Sequence, residues 1–125
     1  DGVLDSSGKV YRHLRRRLAF LEHEAFVVLC LDARNQVIAE VQVAQGSATS
    51  VEVHPREVFM PAVREAAAAL IVAHNHPSGD PEPSDDDLHL TERLRRAARL
   101  LGIPLLDHLV ITRRGFVSLA ERGVL

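Results

Sequence analysis

Cysteine is almost missing from this sequence: Cys30 is the only one in 125 residues. A lone thiol excludes an internal disulfide and a cysteine-built zinc site, and it sets a reducing, cytoplasmic compartment as the expectation. Neither sign of charge dominates. Seventeen acidic residues against fifteen basic ones leave a formal net charge of −2, so no bulk attraction to nucleic acid or anionic lipid is expected. No hydrophobic run approaches the roughly 20 residues of a membrane-crossing helix. The opening residues lack a basic segment followed by an apolar one, so no secretory signal is expected. The first residue is Asp1 rather than Met, which reads as an excised domain. Internal repeats and low-complexity tracts are absent too.

What remains is ordinary globular composition, 46% hydrophobic and 26% charged, in a length that suits one domain, residues 1–125, with one core. Val10 to Glu24 reads as a helix, with Val10, Leu14, Leu18 and Leu21 at spacings of three and four. Ala25 to Leu31 is a short apolar run suited to a strand covered on both faces. Asp32 to Gln36 supplies a turn, and Val37 to Ala44 alternates as the second strand of a hairpin. Gly46 to Ser50 is a connection, and Val51 to Val53 predicts a further short strand. Pro55 suits the first turn of a helix running to about Ala68, with a kink or restart expected at Pro61. Ala69 to Ala73 is another buried strand, and a proline-rich loop, Asn75 to Pro83, follows it. Ser84 opens a helix ended by Gly102. Leu105 to Thr112 and Phe116 to Leu119 are strands joined by the turn Arg113-Arg114-Gly115. This order predicts a layered α/β (or α+β) domain, a mixed sheet carrying about three helices.

Histidine, at seven copies, carries the chemistry. His74 and His76 follow a buried strand, and residues two apart on extended backbone project to one side, ~6.6 Å apart along the chain. The two imidazoles can converge as half of a zinc site while Asn75 faces away. The loop beyond is stiffened by Pro77, Pro81 and Pro83. It ends at Ser84, with Asp87 in the first turn of the next helix. A carboxylate there closes a His₂Asp set and leaves a fourth position to solvent. Taken alone, Ser84-x-x-Asp87 is better read as a capping box, and an isolated His-x-His is commonly incidental. The whole spacing is far more specific than either half. HNH nucleases are a poor match, because the letters of their name stand for separated positions.

His74-x-His76-x₇-Ser84-x₂-Asp87 resembles the JAMM (MPN+) motif of zinc metallopeptidases and deubiquitinating isopeptidases. The surrounding words resemble the bacterial RadC-like branch: His54-Pro55-Arg56-Glu57-Val58, Ala73 to Pro81, Leu105-Leu106-Asp107-His108, and Ser118 to Gly123. The likeness covers about residues 18–125. It implies a cytidine-deaminase-like JAB/MPN fold with a curved sheet, and zinc held by His74, His76 and Asp87. It also implies Ser84 as oxyanion donor and a glutamate near the first strand as general acid/base. Glu24 matches that glutamate, with Glu22 as competitor; read without the resemblance, Glu24 is an exposed residue at a helix end. The activity implied is hydrolysis of a peptide or isopeptide amide.

Two other readings accompany this one. One is a RadC-type DNA-repair protein touching DNA through Arg12, Arg15, Arg16 and Arg17 and through Arg93, Arg95, Arg96 and Arg99. DNA contact could also come from the N-terminal helix-hairpin-helix region of longer RadC-like proteins, which these residues do not include. The other is a metal-binding interaction module without turnover. Solvated helix faces with ion pairs are the plainer account of the arginines. Asp107 and His108 read as a hydrogen-bonded core pair or as support for the metal ligands. His54 reads as a cap, His13, His23 and His89 as surface residues, and Cys30 as a small buried hydrophobe. Asp80, Glu82, Asp85 and Asp86 form a solvated acidic surround. The sequence specifies no oligomeric state and no membrane partner.

Overall fold

A computed structural model describes residues 2–45 and 52–125. Helix α1 (Ser7–Leu18) is followed by strands β1 (Ala25–Leu31) and β2 (Val37–Gln45), then α2 (Pro55–Arg64), β3 (Ala69–Asn75), α3 (Asp85–Leu101), β4 (Leu105–Ile111) and β5 (Phe116–Ser118). The strands form one mixed sheet in the order β2-β1-β3-β4-β5. β3 and β4 are parallel and the other neighbours antiparallel. This is the α/β architecture expected from the sequence. Among the described residues no helix is long and apolar enough to cross a membrane.

Alternation along the central strands divides the core between the two faces of the sheet. Ala25, Val27, Leu29 and Leu31 of β1 pack with Ile71 and Ala73 of β3 against Val10, Leu14 and Leu18 of α1. Phe26, Val28 and Cys30 pack with Leu70 and Val72 against Val58 and Phe59 of α2 and Leu94 and Ala98 of α3. Both strands are buried along their whole length, which explains their uninterrupted apolar sequences. Cys30 is a free, buried thiol, as expected.

Several boundaries differ from the sequence expectation. α1 starts at Ser7, where the Ser6 hydroxyl accepts from Lys9 N, and ends at Leu18 rather than Glu24. Leu18 is the last residue of the buried stripe, and the chain must then turn back to enter β1. β3 extends two residues beyond Ala73, so His74 belongs to the strand itself. β4 and β5 each stop one residue early, at Ile111 and Ser118. Gly46 to Val51 fall outside the described residues. Glu52 and Val53 join no strand, although Val53 is buried against the α2 side of the core.

α2 runs through Pro61 without a restart and ends at Arg64, four residues before Ala68. The stop comes from Ala66, whose φ of 52° is left-handed. With Ala66 so placed, Ala67 N donates to Ala62 O at 2.9 Å and Ala66 N to Val63 O at 3.1 Å, which closes the helix end. A left-handed conformation costs an L-residue about 1–2 kcal/mol, of which glycine's greater freedom in the unfolded chain would give back up to about 1 kcal/mol. Ala66 is exposed, so Ala66→Gly should raise stability by about 0.5–1 kcal/mol, seen as a higher urea midpoint at unchanged slope.

Candidate metal centre

The parallel pair β3–β4, bridged by α3, places the end of β3 beside the N-terminus of α3, where open α/β sheets commonly bind ligands. β1 runs antiparallel to β3, with Phe26 opposite His74, so the start of β1 reaches the same end of the sheet. His74 shares the face of Leu70 and Val72, the face covered by α2 and α3. Glu24 has the parity of Phe26 and points to that face too. There a cleft of about 590 Å³ is lined by Glu24, Phe26, His74, His76, Ser84 and Asp87, with Glu52, His54, His89 and Arg93 around them.

Three of these side chains meet closely. His74 Nε2 lies 3.1 Å from His76 Nε2 and 3.2 Å from Asp87 Oδ1, and His76 Nε2 lies 3.1 Å from Asp87 Oδ2. Three ligands at about 2.0–2.1 Å from a tetrahedral zinc are separated by about 3.3 Å. A second carboxylate, Glu24, has an oxygen within 4.8 Å of the imidazole nitrogens, a looser approach with room for an intervening water.

The hydrogen bonds around the pair fix the side on which each ring carries its proton. Thr91 Oγ1 donates to Asp87 O at 2.7 Å, so its oxygen is left to accept from His108 Nδ1 at 2.6 Å. His108 is fully buried, and burial, with His74 beside it, pushes its pKa well below the ordinary histidine range and keeps it neutral. Its Nε2 therefore accepts from His74 Nδ1, 2.8 Å away, and His74 Nε2 is a bare lone pair aimed at the centre. His76 Nδ1 donates to Asp80 O at 2.9 Å, which leaves its Nε2 bare as well. Two lone pairs and a carboxylate thus face one another, an arrangement that favours a cation between them.

The charges respond accordingly. Burial alone would raise the pKa of Asp87, but contacts with His74 and His76, and the bond from Ser84 N, hold its carboxyl well below the usual range. The pKa of His76 is raised, first because the Asp87 carboxylate beside Nε2 would accept from the protonated ring and so favours it, with burial opposing. Glu24 is raised, mainly by burial, while the nearby imidazoles pull it back.

Ser84 and Asp87 form the capping box as well as entering the cleft. Ser84 Oγ accepts from Asp87 N at 3.0 Å, and Asp87 Oδ2 accepts from Ser84 N at 2.9 Å. The cap uses the serine oxygen only as acceptor, so its hydroxyl proton is left to donate into the cleft. Glu24 is not at a helix end; it is only 7% exposed, whereas Glu22 is exposed. Asp107 and His108 are a buried, hydrogen-bonded pair, His108 N donating to Asp107 Oδ1 at 2.7 Å, and their side chains have separate tasks. Asp107 accepts from Ser118 Oγ and Ala120 N and pins the C-terminal turn to β4, while His108 backs the cleft. His54 takes the N-cap position of α2. His13 is exposed, as expected of it, but bonds Glu40 at 2.9 Å. Glu82 of the acidic loop pairs with Arg122. Among the arginines, Arg17 pairs with Glu40, and Arg95 and Arg96 with Glu92.

Thr91 is not among the residues that the sequence singles out, and Asn75 is expected from it only to face away. Thr91 stands one helical turn after Asp87, a spacing that could have flagged it. Asn75 offered no such signal.

A family model for the RadC-like JAB domain matches residues 4–124. The chain belongs to this family. Similar curated proteins include the UPF0758 proteins of Syntrophotalea carbinolica, 51% identical over 116 residues that cover 93% of this chain and 51% of that one; of Geotalea uraniireducens, 46% identical over 120 residues, 96% and 53%; and of Thermotoga maritima, 46% identical over 122 residues, 98% and 54%. The chain spans about half the length of the curated relatives it matches. The three helices and mixed five-stranded sheet agree with a JAB/MPN fold. JAB domains often include metallohydrolases, and in this RadC-like domain Glu24, His74 and His76 are close enough together that they could hold a metal ion.

The proton pattern would make any affinity for a metal ion depend on residues outside the donor set. Replacing Thr91 with Val should release the His108 ring and lower the affinity for an added divalent metal ion by about tenfold, and His108→Ala by about 10–100-fold, in titrations against a chelating indicator.

Proposed function

We propose that this RadC-like JAB domain is a zinc-dependent hydrolase of a peptide or isopeptide amide. The observation that carries the reading is the triangle of His74 Nε2, His76 Nε2 and Asp87 carboxylate, with both rings oriented as lone-pair donors. An N₂O set of this size suits zinc, and three protein ligands leave a position open for chemistry. Zinc there would supply Lewis acidity toward water and toward a carbonyl oxygen.

The chain's own residues supply the rest. Glu24, its basicity raised by burial, takes the proton of the attacking water and hands it to the leaving amine. The Ser84 hydroxyl donates to the oxygen of the carbonyl as charge develops on it. Phe26 stacks beside the His74 ring with centroids 6.0 Å apart and keeps the inner wall apolar. A protein or peptide is the partner this chemistry calls for. The pairing of Arg17, Arg95 and Arg96 with carboxylates weakens the case for DNA, and a single buried thiol suits a reducing cytoplasm.

Metal analysis of purified protein should find about one zinc per chain, and His76→Ala or Asp87→Ala should abolish it. Cleavage of fluorescein-labelled casein or of an ε-lysyl isopeptide should stop with a chelator and return with zinc. Ser84→Ala should lower kcat by about 10²–10³ and Glu24→Gln by about 10²–10⁴. Absence of bound zinc, or full turnover in Ser84→Ala, would overturn the proposal.

A further inference from the structure

Asn75 lies between the two metal-centre histidines but projects to the opposite face of β3, and it is only 1% exposed. Hydrogen-bonded pairing of β1 with β3 ends at Phe26 opposite His74. Beyond that point the Asn75 side chain replaces the missing ladder. Its Oδ1 accepts from Ala25 N at 2.8 Å, and its Nδ2 donates to His23 O at 3.0 Å. A primary amide offers one acceptor and one donor, as a peptide group does, so it substitutes for a strand neighbour. The two peptide groups it grips flank Glu24 on either side. The Glu24 carboxylate reaches within 4.8 Å of the imidazole nitrogens, and the backbone that carries it is held on both sides by Asn75.

We infer that Asn75 is a positioning residue for Glu24: it locks the short segment His23-Glu24-Ala25 to the strand that carries the histidines, and so fixes the carboxylate relative to the metal centre. The inference rests on the hydrolase reading for its catalytic consequence, though not for the geometry. A displacement of about 1 Å at a reacting group costs on the order of 10²-fold in rate. Aspartate at position 75 would keep the acceptor and lose the donor, and leucine would lose both.

The experiment compares zinc-loaded wild type, Asn75→Asp, Asn75→Leu, Glu24→Gln and the double variant Glu24→Gln/Asn75→Leu. Asn75→Leu should keep about one zinc per chain, because the imidazoles are oriented by other bonds. The Ala25 amide should exchange at least tenfold faster, and the Glu24 carboxyl ¹³C resonance should move. With labelled casein, kcat should fall by about 10²-fold at unchanged KM, with Asn75→Asp between Asn75→Leu and wild type. In the Glu24→Gln background, Asn75→Leu should cost nothing further, since the group it positions is already gone. Loss of zinc in Asn75→Leu, unchanged Ala25 exchange, or losses that multiply in the double variant would overturn the inference. If wild type cleaves nothing, the hydrolase reading fails by itself. The Ala25 exchange and the Glu24 resonance in Asn75→Leu then decide the positioning role, upheld if both change and overturned if either does not.

Discussion

Two imidazole lone pairs and a carboxylate facing one another across about 3 Å repel, and each is costly to bury without a partner. The domain sustains this arrangement because every alternative is closed off. His74 cannot turn its proton inward while His108 takes it on the other side, and His108 cannot reverse while Thr91 gives its only proton to Asp87 O. His76 is held the same way by the carbonyl of Asp80. The centre is therefore poised for a positive charge before any arrives. Holding such a poise needs a rigid scaffold, which the fully buried β1 and β3 provide.

The period of two along β3 divides its end between separate tasks. His74 faces α3 and joins the candidate metal centre, and Asn75 faces the α1 side and secures the entry to β1. Placing these on successive residues of one strand couples the distance between the ligands and Glu24 to the pairing of β1 with β3, the most buried part of the sheet. A loop-borne glutamate would drift with its loop. Glu24 instead inherits the stiffness of the strand that begins one residue later.

Much of this was legible in the sequence because it depends on short periods. The pair His74/His76 follows from strand alternation, Ser84/Asp87 from the first turn of a helix, and the two-faced core from the apolar runs of β1 and β3. What escaped depends on contacts across long separations. Asn75 bonds residues about fifty positions earlier, and His108 reaches Thr91 through tertiary packing alone. Glu24 illustrates the limit: local sequence marks an exposed residue after a helix, while burial comes from a strand partner that no local pattern announces. The end of α2 is a different case, since alanine carries no sign that Ala66 will adopt a left-handed backbone.

The capping box explains why the third member of the triangle is aspartate. A cap at this position more often uses Glu or Gln, whose longer side chain reaches back to the N-cap amide. In this domain the carboxylate must reach Ser84 N and also meet two imidazoles. Asp87 does so with Oδ2 shared between Ser84 N and His76 while Oδ1 turns to His74. A longer side chain gains a torsion and loses the fixed relation between helix end and metal centre. The backbone of α3 thus orients the carboxylate, and the helix N-terminus, with its partial positive charge, stabilises the anion. The carboxylate that completes the cap of α3 also faces the histidines, so the packing of α3 on the sheet sets where that carboxylate stands relative to them.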